Sequence, residues 1–483
     1  MRRRPLRLAA CGVLMVLAAC GGGGGGGGDD ASDDRTGPTA VDPSTTTTPP
    51  PAASTLPRAT EPACPAIPPR AAPAADRPRY VLAVDVDPAT GRVKGDLKVA
   101  FTPDLPTDEL VFRLWPNGPR GALGGVRLET GPVTVDGVEA ASTRADATTL
   151  VVRPGRTIDP GTTVDVAMTW TLDVPGPADD RISHDQDSMR LGSFFPILPW
   201  EPGVGWAREP AVGDFAEASA APTADFDLTV TVPDGYDVLA SGEPVPAGSN
   251  HFVAPAMRDV ALSIGRFEDL VTAVAHAPDP VQVTVGVHTG VPGSAQAFLD
   301  QVVAVLETFG ERYGPYPWST FTLALTPELG GGIEYPSHVM QGPFTLGDIT
   351  THEVGHMWFY GLVGNDQGRD PWLDEGLTTW TEAREQGTID LYTAHEVPRV
   401  AKGRLGEPMS FWTLRPLYYQ DGVYTQGVQA LAALGPPDLV DCALRVYVAQ
   451  NAHRIATPAH LLAAASAVIP DAPEKLAPFG IEP

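Results

Sequence analysis

Hydrophobic and polar residues alternate along the first half of the chain, which predicts β-strands. Every second residue from Tyr80 to Val86 is large and apolar, and the same period of two returns after the turn at residues 87–91. This period places successive side chains on opposite faces of a strand. Many short segments of this kind, separated by Gly, Pro and Asp, predict a β-rich domain over residues 78–267, with a twisted, sandwich-like sheet that has one solvent-exposed face.

The spacing of apolar residues becomes helical in the second half of the chain. Residues three or four positions apart recur at Phe298, Val302, Val305, Leu306 and Phe309. A strand over residues 321–326 and further helices follow. Residues 268–483 are therefore predicted to form a second, mixed α/β domain, and the fold class is α+β with more than one domain.

The N-terminus has the features of a processing signal. Arg2, Arg3 and Arg4 precede an apolar run from Leu8 to Ala19 that is too short to span a bilayer. The run closes on Leu-Ala-Ala-Cys at residues 17–20, which resembles a bacterial lipobox. We expect residues 1–19 to be a lipoprotein signal peptide and Cys20 to carry the lipid, so that the protein is extracytoplasmic and anchored to the cell membrane. An ordinary cleaved signal is the alternative.

Residues 20–77 have the composition of a tether. Gly21–Gly28 are all glycine, and runs of Asp, Thr and Pro follow. Such a segment cannot bury enough apolar surface to offset the loss of chain entropy on folding. We therefore expect it to be disordered.

Charge and cysteine content limit which partners the protein could bind and bear on the redox state of its cellular compartment. The formal net charge of −26 disfavours nucleic acid and anionic membrane surfaces as partners. Cys64 and Cys442 remain once the signal peptide and the lipidated cysteine are set aside. In an oxidising compartment they could form a disulfide; the alternative is a buried thiol at Cys442 and an idle one at Cys64.

The motif His352-Glu353-Val354-Gly355-His356, with Glu375 further along the chain, indicates a metal centre. Histidines at positions i and i+4 lie on one face of a helix, so both can reach one ion. Three nitrogen and oxygen ligands with a free fourth position describe a catalytic zinc. Glu353 lies beside the first ligand, where its carboxylate can accept a proton from metal-bound water.

Glu334 is a candidate for substrate binding. It follows Gly331 and Gly332, which would allow a substrate backbone to approach closely. A carboxylate there could hold a charged amino group. The alternative is a solvated loop glutamate without a function.

Taken in order, the segments GGIEYP, HEVGHMWFYGLVGN, WLDEG and VYTQG resemble motifs of the aminopeptidase N family of gluzincin metallopeptidases. The resemblance covers nearly all of residues 78–483. It implies a saddle-like β domain followed by a thermolysin-like catalytic domain, with the active site between them.

The resemblance also implies a role for each matching residue. His352, His356 and Glu375 match the ligands of one zinc ion per chain, and Glu353 matches the general base. Glu334 matches the glutamate that binds the free α-amino group of the substrate. The remaining match is Tyr424, which corresponds to the tyrosine that stabilises the oxyanion.

The chain departs from the family pattern at Tyr335, where the best-known motif has asparagine, and at Ile333, where it has methionine. The resemblance does not locate a second anchor for the amino group in the β-rich part, although residues near Ser193 are candidates. Glu382 could orient a histidine or be an exposed helix carboxylate. His338 is interpreted as a surface or core histidine rather than a ligand.

The sequence therefore predicts a membrane-anchored zinc metallopeptidase, with an aminopeptidase acting on peptides with a free N-terminus as the leading hypothesis. A thermolysin-type endopeptidase is the alternative among enzymes. An inactive relative that serves as a surface-binding protein is the alternative outside enzymes. Retention of the ligands, base and tyrosine argues against the inactive relative.

Overall fold

The computed structural model describes residues 64–178, 180–213 and 220–482, and these form one compact unit. The predicted signal peptide, Cys20 and the first part of the predicted tether lie outside the described residues. No helix in the described ranges is both long and apolar enough to cross a membrane.

The first part of the described chain is built almost wholly from strands, with one short helix, α1 (Pro119–Leu123). In chain order the strands are β1 (Arg79–Asp87), β2 (Arg92–Phe101), β3 (Leu110–Arg113), β4 (Arg127–Val135), β5 (Val138–Asp146), β6 (Thr149–Arg153), β7 (Val164–Asp173), β8 (Ile182–Asp185), β9 (Ser188–Leu191), β10 (Trp200–Glu201), β11 (Gly205–Trp206), β12 (Ala224–Thr231), β13 (Asp237–Ala240), β14 (Glu243–Pro244), β15 (His251–Met257) and β16 (Leu262–Gly265).

These strands form one large sheet, one smaller sheet and the two-stranded pair of β10 and β11. The large sheet has the order β14-β15-β12-β1-β2-β7-β4-β5-β6-β3, and the smaller has the order β13-β16-β9-β8. In β1 and β2 exposed and buried residues alternate, so one face of the large sheet is covered and the other meets solvent. The period of two found in the sequence is thus confirmed as a sheet with one buried face.

The second part mixes strands and helices, as predicted. In chain order its elements are β17 (Phe267–His276), β18 (Pro280–His288), α2 (Ala295–Tyr313), β19 (Thr320–Leu325), β20 (Gly332–Tyr335), β21 (His338–Gln341), α3 (Asp348–Gly355), β22 (Gly364–Asn365), α4 (Glu375–Gln386), α5 (Ile389–Ala394), α6 (Met409–Trp412), α7 (Gln426–Leu434), α8 (Pro437–Asn451), β23 (Ile455–Ala456), α9 (Pro458–Ser466) and α10 (Ala472–Leu476). A short π-helical segment, Gln420–Thr425, runs directly into α7. The domain boundary predicted at residues 267 and 268 coincides with the start of β17, and the division into domains stays a prediction.

A five-stranded sheet and two helices place the candidate site. The sheet has the order β17-β18-β19-β21-β20, which leaves β20 at an edge. Helix α2 covers the sheet with its apolar face, including Phe298 and Val302. Helices α3 and α4 approach closely at Gly355, where a Cβ atom would lie 2.5 Å from Thr381 Oγ1. Glycine at that position therefore lets the two helices carry their side chains to one point.

Residues 64–77 differ from the predicted tether, because they are packed against the folded part. Cys64 forms a disulfide with Cys442 of α8, and the two Cα atoms are 5.7 Å apart. Ala71 N–H donates to the carbonyl of Ala449 at 2.8 Å, and Ile67 packs against the core. A covalent link and a few local contacts compensate here for the low apolar content that favours disorder.

Candidate active site

Helix α3 brings the two motif histidines onto one face. His352 lies in its last turn, and His356 follows the helix with helical backbone angles, φ −59° and ψ −17°. The His356 N–H donates to the His352 carbonyl at 3.3 Å. Both side chains are buried, and the ring centroids are 4.7 Å apart. The spacing of four residues therefore delivers two imidazoles to one point.

Glu375 completes a set of three metal-binding groups from the first turn of α4. Its Oε2 atom lies 3.1 Å from Nε2 of His352 and 3.7 Å from Nε2 of His356. One donor atom from each of the three residues lies within 4.8 Å of the others. The structure thus brings together the three residues that the sequence predicted as ligands.

Each histidine also forms a hydrogen bond with a carboxylate other than that of Glu375. Nδ1–H of His352 donates to Glu382 at 3.1 Å, and Nδ1–H of His356 donates to Asp374 at 2.7 Å. These bonds orient both Nε2 atoms towards Glu375, the orientation that metal-bound histidines adopt.

Of these two partners, only Glu382 was a candidate from the sequence, and its role stayed open there. Glu382 is itself held by the Tyr392 hydroxyl, and Asp374 accepts a hydrogen bond from the Gln367 side chain. Asp374 was missed, although its position beside Glu375 was a signal that could have been used. Glu382 lies on α4 and Asp374 directly before it, so both hydrogen-bond partners of the histidines come from the segment that carries Glu375.

The charges around this pocket favour a cation. Burial opposes the charged form of His356, but Glu334, Asp374 and Glu375 outweigh it and raise the pKa of His356 to about 10. Burial likewise opposes ionisation of Glu375, yet the hydrogen bond with His352 and the charges of both histidines hold its pKa below the ordinary value. Two imidazoles and a carboxylate are ligands that zinc prefers, and a catalytic zinc uses three of them. The residues present therefore fit one zinc ion.

Glu353 and Glu334 face the same pocket with unused hydrogen-bonding capacity. Glu353 Oε2 and Glu334 Oε1 are buried and have no hydrogen-bond partner among the described residues. A carboxylate oxygen of each lies within 4.8 Å of a ring nitrogen of His356. Burial and the negative charge of Glu334 raise the pKa of Glu353 to about 8. Buried oxygens of this kind are costly unless a ligand or reactant contacts them.

The two glycines before Glu334 have different surroundings. A Cβ atom at Gly332 would lie 2.4 Å from the Glu353 carboxyl carbon, so glycine is required for β20 to approach α3. A Cβ atom at Gly331 would have nothing within 4 Å. Of the predicted pair, Gly331 therefore borders space that a substrate could use, whereas Gly332 brings Glu334 close to Glu353.

Tyr424 reaches the site from the π-helical segment before α7. Its ring lies parallel to that of His352, with centroids 5.8 Å apart, and its hydroxyl interacts with Glu375. Single π-helical turns are rare and occur often at functional sites. The structure thus places Tyr424 beside the metal-binding groups.

Two other residues considered from sequence lie in buried polar contacts. His338 is hydrogen-bonded to Ser263 at 2.9 Å and to Thr322 at 2.6 Å, in keeping with a core histidine. Ser193 Oγ–H donates to Asp259 at 2.7 Å and lies 3.3 Å from the Tyr335 hydroxyl. Asp259 was not considered from sequence, because nothing near it in the chain indicates that contact.

Known sequences similar to this chain include aminopeptidases. Although the chain matches no protein-family model, it is 30% identical to human aminopeptidase B over 197 residues, 37% of this chain and 29% of that protein. It is also 28% identical to leucine aminopeptidase 2 of Coccidioides immitis over 188 residues, 35% of this chain and 29% of that protein. The matched part is thus less than a third of the length of these relatives.

Solved structures with the same fold include the M1 zinc metallopeptidase of Deinococcus radiodurans. A mutant of that protein bound to a Tyr-Ser-Ala substrate superposes with a TM-score of 0.65 at 18% sequence identity, over 84% of this chain and 94% of that chain. The fold, the metal-binding geometry and the similar sequences agree. Together they support the aminopeptidase N, or M1, family of gluzincin zinc metallopeptidases as the family that this chain resembles.

Proposed function

We propose that this protein is a zinc aminopeptidase, which removes residues from the free N-terminus of peptides. The observation that carries the proposal is the Glu334 carboxylate, buried beside the metal-binding groups with one oxygen unpartnered among the described residues. A free α-ammonium group in a desolvated cleft needs an anionic partner. An endopeptidase binds the interior of a peptide and has no such cation to neutralise.

In the proposed site His352, His356 and Glu375 hold the metal. A bound zinc ion supplies a water ligand with a pKa of about 7 and polarises a carbonyl group. Glu353 accepts the proton of the attacking water and delivers it to the leaving amine, as a general base and then a general acid.

Tyr424 and Glu334 act on the two ends of the reacting residue. The Tyr424 hydroxyl donates a hydrogen bond to the oxygen on which negative charge develops in the transition state. Glu334 accepts hydrogen bonds from the α-ammonium group and thereby fixes the distance from the N-terminus to the bond that is cleaved. One residue is therefore removed at a time.

The similar proteins support this activity. Two are named aminopeptidase B and leucine aminopeptidase 2, and the Deinococcus radiodurans protein was crystallised with a tripeptide substrate. The direct test compares hydrolysis of fluorogenic aminoacyl amides with and without an N-acetyl group. We expect cleavage of the free amines and little cleavage of the acetylated ones. Equal cleavage of both would overturn the proposal in favour of an endopeptidase, and no cleavage by zinc-loaded protein would favour an inactive relative.

We further propose that the protein works outside the cytoplasm, anchored by a lipid on Cys20. The lipobox-like residues 17–20 and the basic start of the chain support this location. The disulfide between Cys64 and Cys442 suits an oxidising compartment. The test is fractionation of cells that express the natural chain or Cys20→Ser. The natural chain is expected in the membrane fraction and the variant outside it; the same distribution for both would contradict the anchor.

A further inference from the structure

Strand β20 presents its neighbouring side chains to opposite sides. Glu334 points towards the metal-binding pocket, whereas Ile333 and Tyr335 belong to a small apolar cluster with Leu329 and Met340. The strand has only four residues and pairs on one side only, with β21. A short edge strand is weakly held by its own backbone hydrogen bonds. Contacts on the face of β20 that Ile333 and Tyr335 occupy therefore influence where Glu334 lies.

Tyr335 forms a polar contact on the face of β20 opposite Glu334. Its ring is fully buried, and its hydroxyl lies 3.3 Å from Ser193 Oγ. Because the Ser193 hydroxyl donates its proton to Asp259 at 2.7 Å, the Tyr335 hydroxyl must be the donor to Ser193. The result is a directed chain from Tyr335 through Ser193 to Asp259.

The backbone of the β-rich part is shaped to receive this tyrosine. A Cβ atom at Gly192 would lie 2.2 Å from the Tyr335 hydroxyl oxygen, so a larger residue would displace the ring. Ser193 has φ 47°, a left-handed conformation uncommon for residues other than glycine. Asp259 is fully buried, and its other oxygen accepts the Val260 N–H at 2.8 Å. Three unusual local features thus meet at the Tyr335 hydroxyl.

Arg258, the residue before Asp259, contacts the segment that follows the second histidine. Arg258 is buried, and its Nε–H donates to the carbonyl of Tyr360 at 3.0 Å, four residues after His356. Its NH2 group donates to the carbonyl of Leu362 at 3.4 Å. Adjacent residues of the connection between β15 and β16 therefore contact Ser193, which is bonded to Tyr335 of β20, and the segment that follows the second histidine.

We propose that Tyr335, Ser193 and Asp259 are positioning residues that hold Glu334 at the place where it binds the substrate α-ammonium group. The inference rests on the proposed function. Tyrosine stands here where the family motif has asparagine, and its longer side chain spans the distance from β20 to the β-rich part. Loss of the hydroxyl should therefore loosen recognition of the amino group and leave metal binding intact.

The test measures ligand binding to the zinc-loaded protein by calorimetry. L-leucine hydroxamate carries the α-amino group, and the matched probe is the same hydroxamate without it. In Tyr335→Phe the Kd of the amino compound should rise about three- to tenfold, the effect of losing one neutral hydrogen bond, while the Kd of the other stays unchanged. Zinc content should remain one per chain. Asp259→Asn should act in the same direction.

Two controls separate positioning from general damage. Tyr313→Phe removes another fully buried tyrosine hydroxyl that is bonded to a carboxylate, Asp441 at 3.4 Å, and should alter neither Kd. In a Glu334→Ala background, Tyr335→Phe should have no further effect on the amino compound. An equal loss for both hydroxamates in Tyr335→Phe, or an undiminished effect in the Glu334→Ala background, would overturn the inference.

Failure of the proposed function gives a different result. If the natural protein binds the two hydroxamates equally well, the α-amino group is not recognised and the aminopeptidase proposal itself fails. If the natural protein prefers the amino compound and Tyr335→Phe keeps the full preference, the proposed function stands and the role of Tyr335 is wrong.

Discussion

The metal-binding groups and the carboxylates beside them differ in how their polar atoms are satisfied. His352, His356 and Glu375 each contact at least one further polar side chain of the protein. Glu334 and Glu353 are equally buried but each leaves an oxygen without a partner among the described residues. Polar side chains of the protein hold the first group in place, whereas the second retains capacity for groups that arrive with the substrate.

This difference separates two kinds of contribution to activity. Changes to the first group should act through the amount of metal bound. Changes to Glu353, Tyr424 or Glu334 should leave the metal in place and act on the chemistry or on the recognition of the substrate.

His352→Ala should remove both zinc and activity, because two remaining ligands rarely hold a catalytic zinc. Zinc is measured by mass spectrometry after dialysis, and turnover is measured on the same sample. His276→Ala, which alters an exposed histidine on β17, is the matched control and should retain both. A full equivalent of zinc in His352→Ala would show that the ligands are wrongly assigned.

Glu353→Gln should retain zinc and lower kcat by about 10²–10⁴-fold, the usual contribution of a general base. An amide of the same shape cannot accept the proton of water. Steady-state kinetics with zinc-loaded protein measures the effect. Turnover close to that of the natural chain would remove Glu353 from the mechanism.

Tyr424→Phe should lower kcat by about 10²–10³-fold, as does the loss of one donor to an oxyanion. KM should change much less, since the hydroxyl matters chiefly in the transition state. A rise in KM with unchanged kcat would instead indicate that Tyr424 binds the ground state of the substrate.

Glu382→Gln should lower zinc affinity about 10–100-fold, because it weakens the carboxylate that orients His352. Competition with a chelator measures this. Glu385→Gln alters a carboxylate on the same helix that pairs with Arg312 at 2.9 Å and should leave zinc affinity unchanged. Equal effects of the two variants would attribute the loss to the helix rather than to the histidine contact.

The parts of this structure that could be predicted from sequence are those encoded by local spacing. The alternation from Tyr80 to Val86 indicates a strand because one face of the sheet is buried. The interval between His352 and His356 indicates a shared metal because a helical turn has a fixed pitch. Each feature needs only residues that are neighbours in the chain.

Contacts between distant segments could not be predicted in this way. Ser193 and Tyr335 are 142 residues apart in sequence, and Cys64 and Cys442 are 378 apart. Their contacts depend on how complete elements pack, which single-chain periodicity does not encode. Amino-acid composition likewise predicted disorder through residue 77, because composition carries no information about the disulfide that links Cys64 to Cys442.

The effect of Glu334→Ala on free and N-acetylated peptides tests the central claim most directly. For free amines kcat/KM should fall about ten- to two-hundredfold, since a hydrogen bond to a charged group contributes roughly 1.5–3 kcal/mol. Zinc should remain bound, and the slow cleavage of acetylated peptides should change little. An equal loss on both substrates, or no loss on free amines, would contradict the assignment of Glu334 as the residue that makes this site an aminopeptidase.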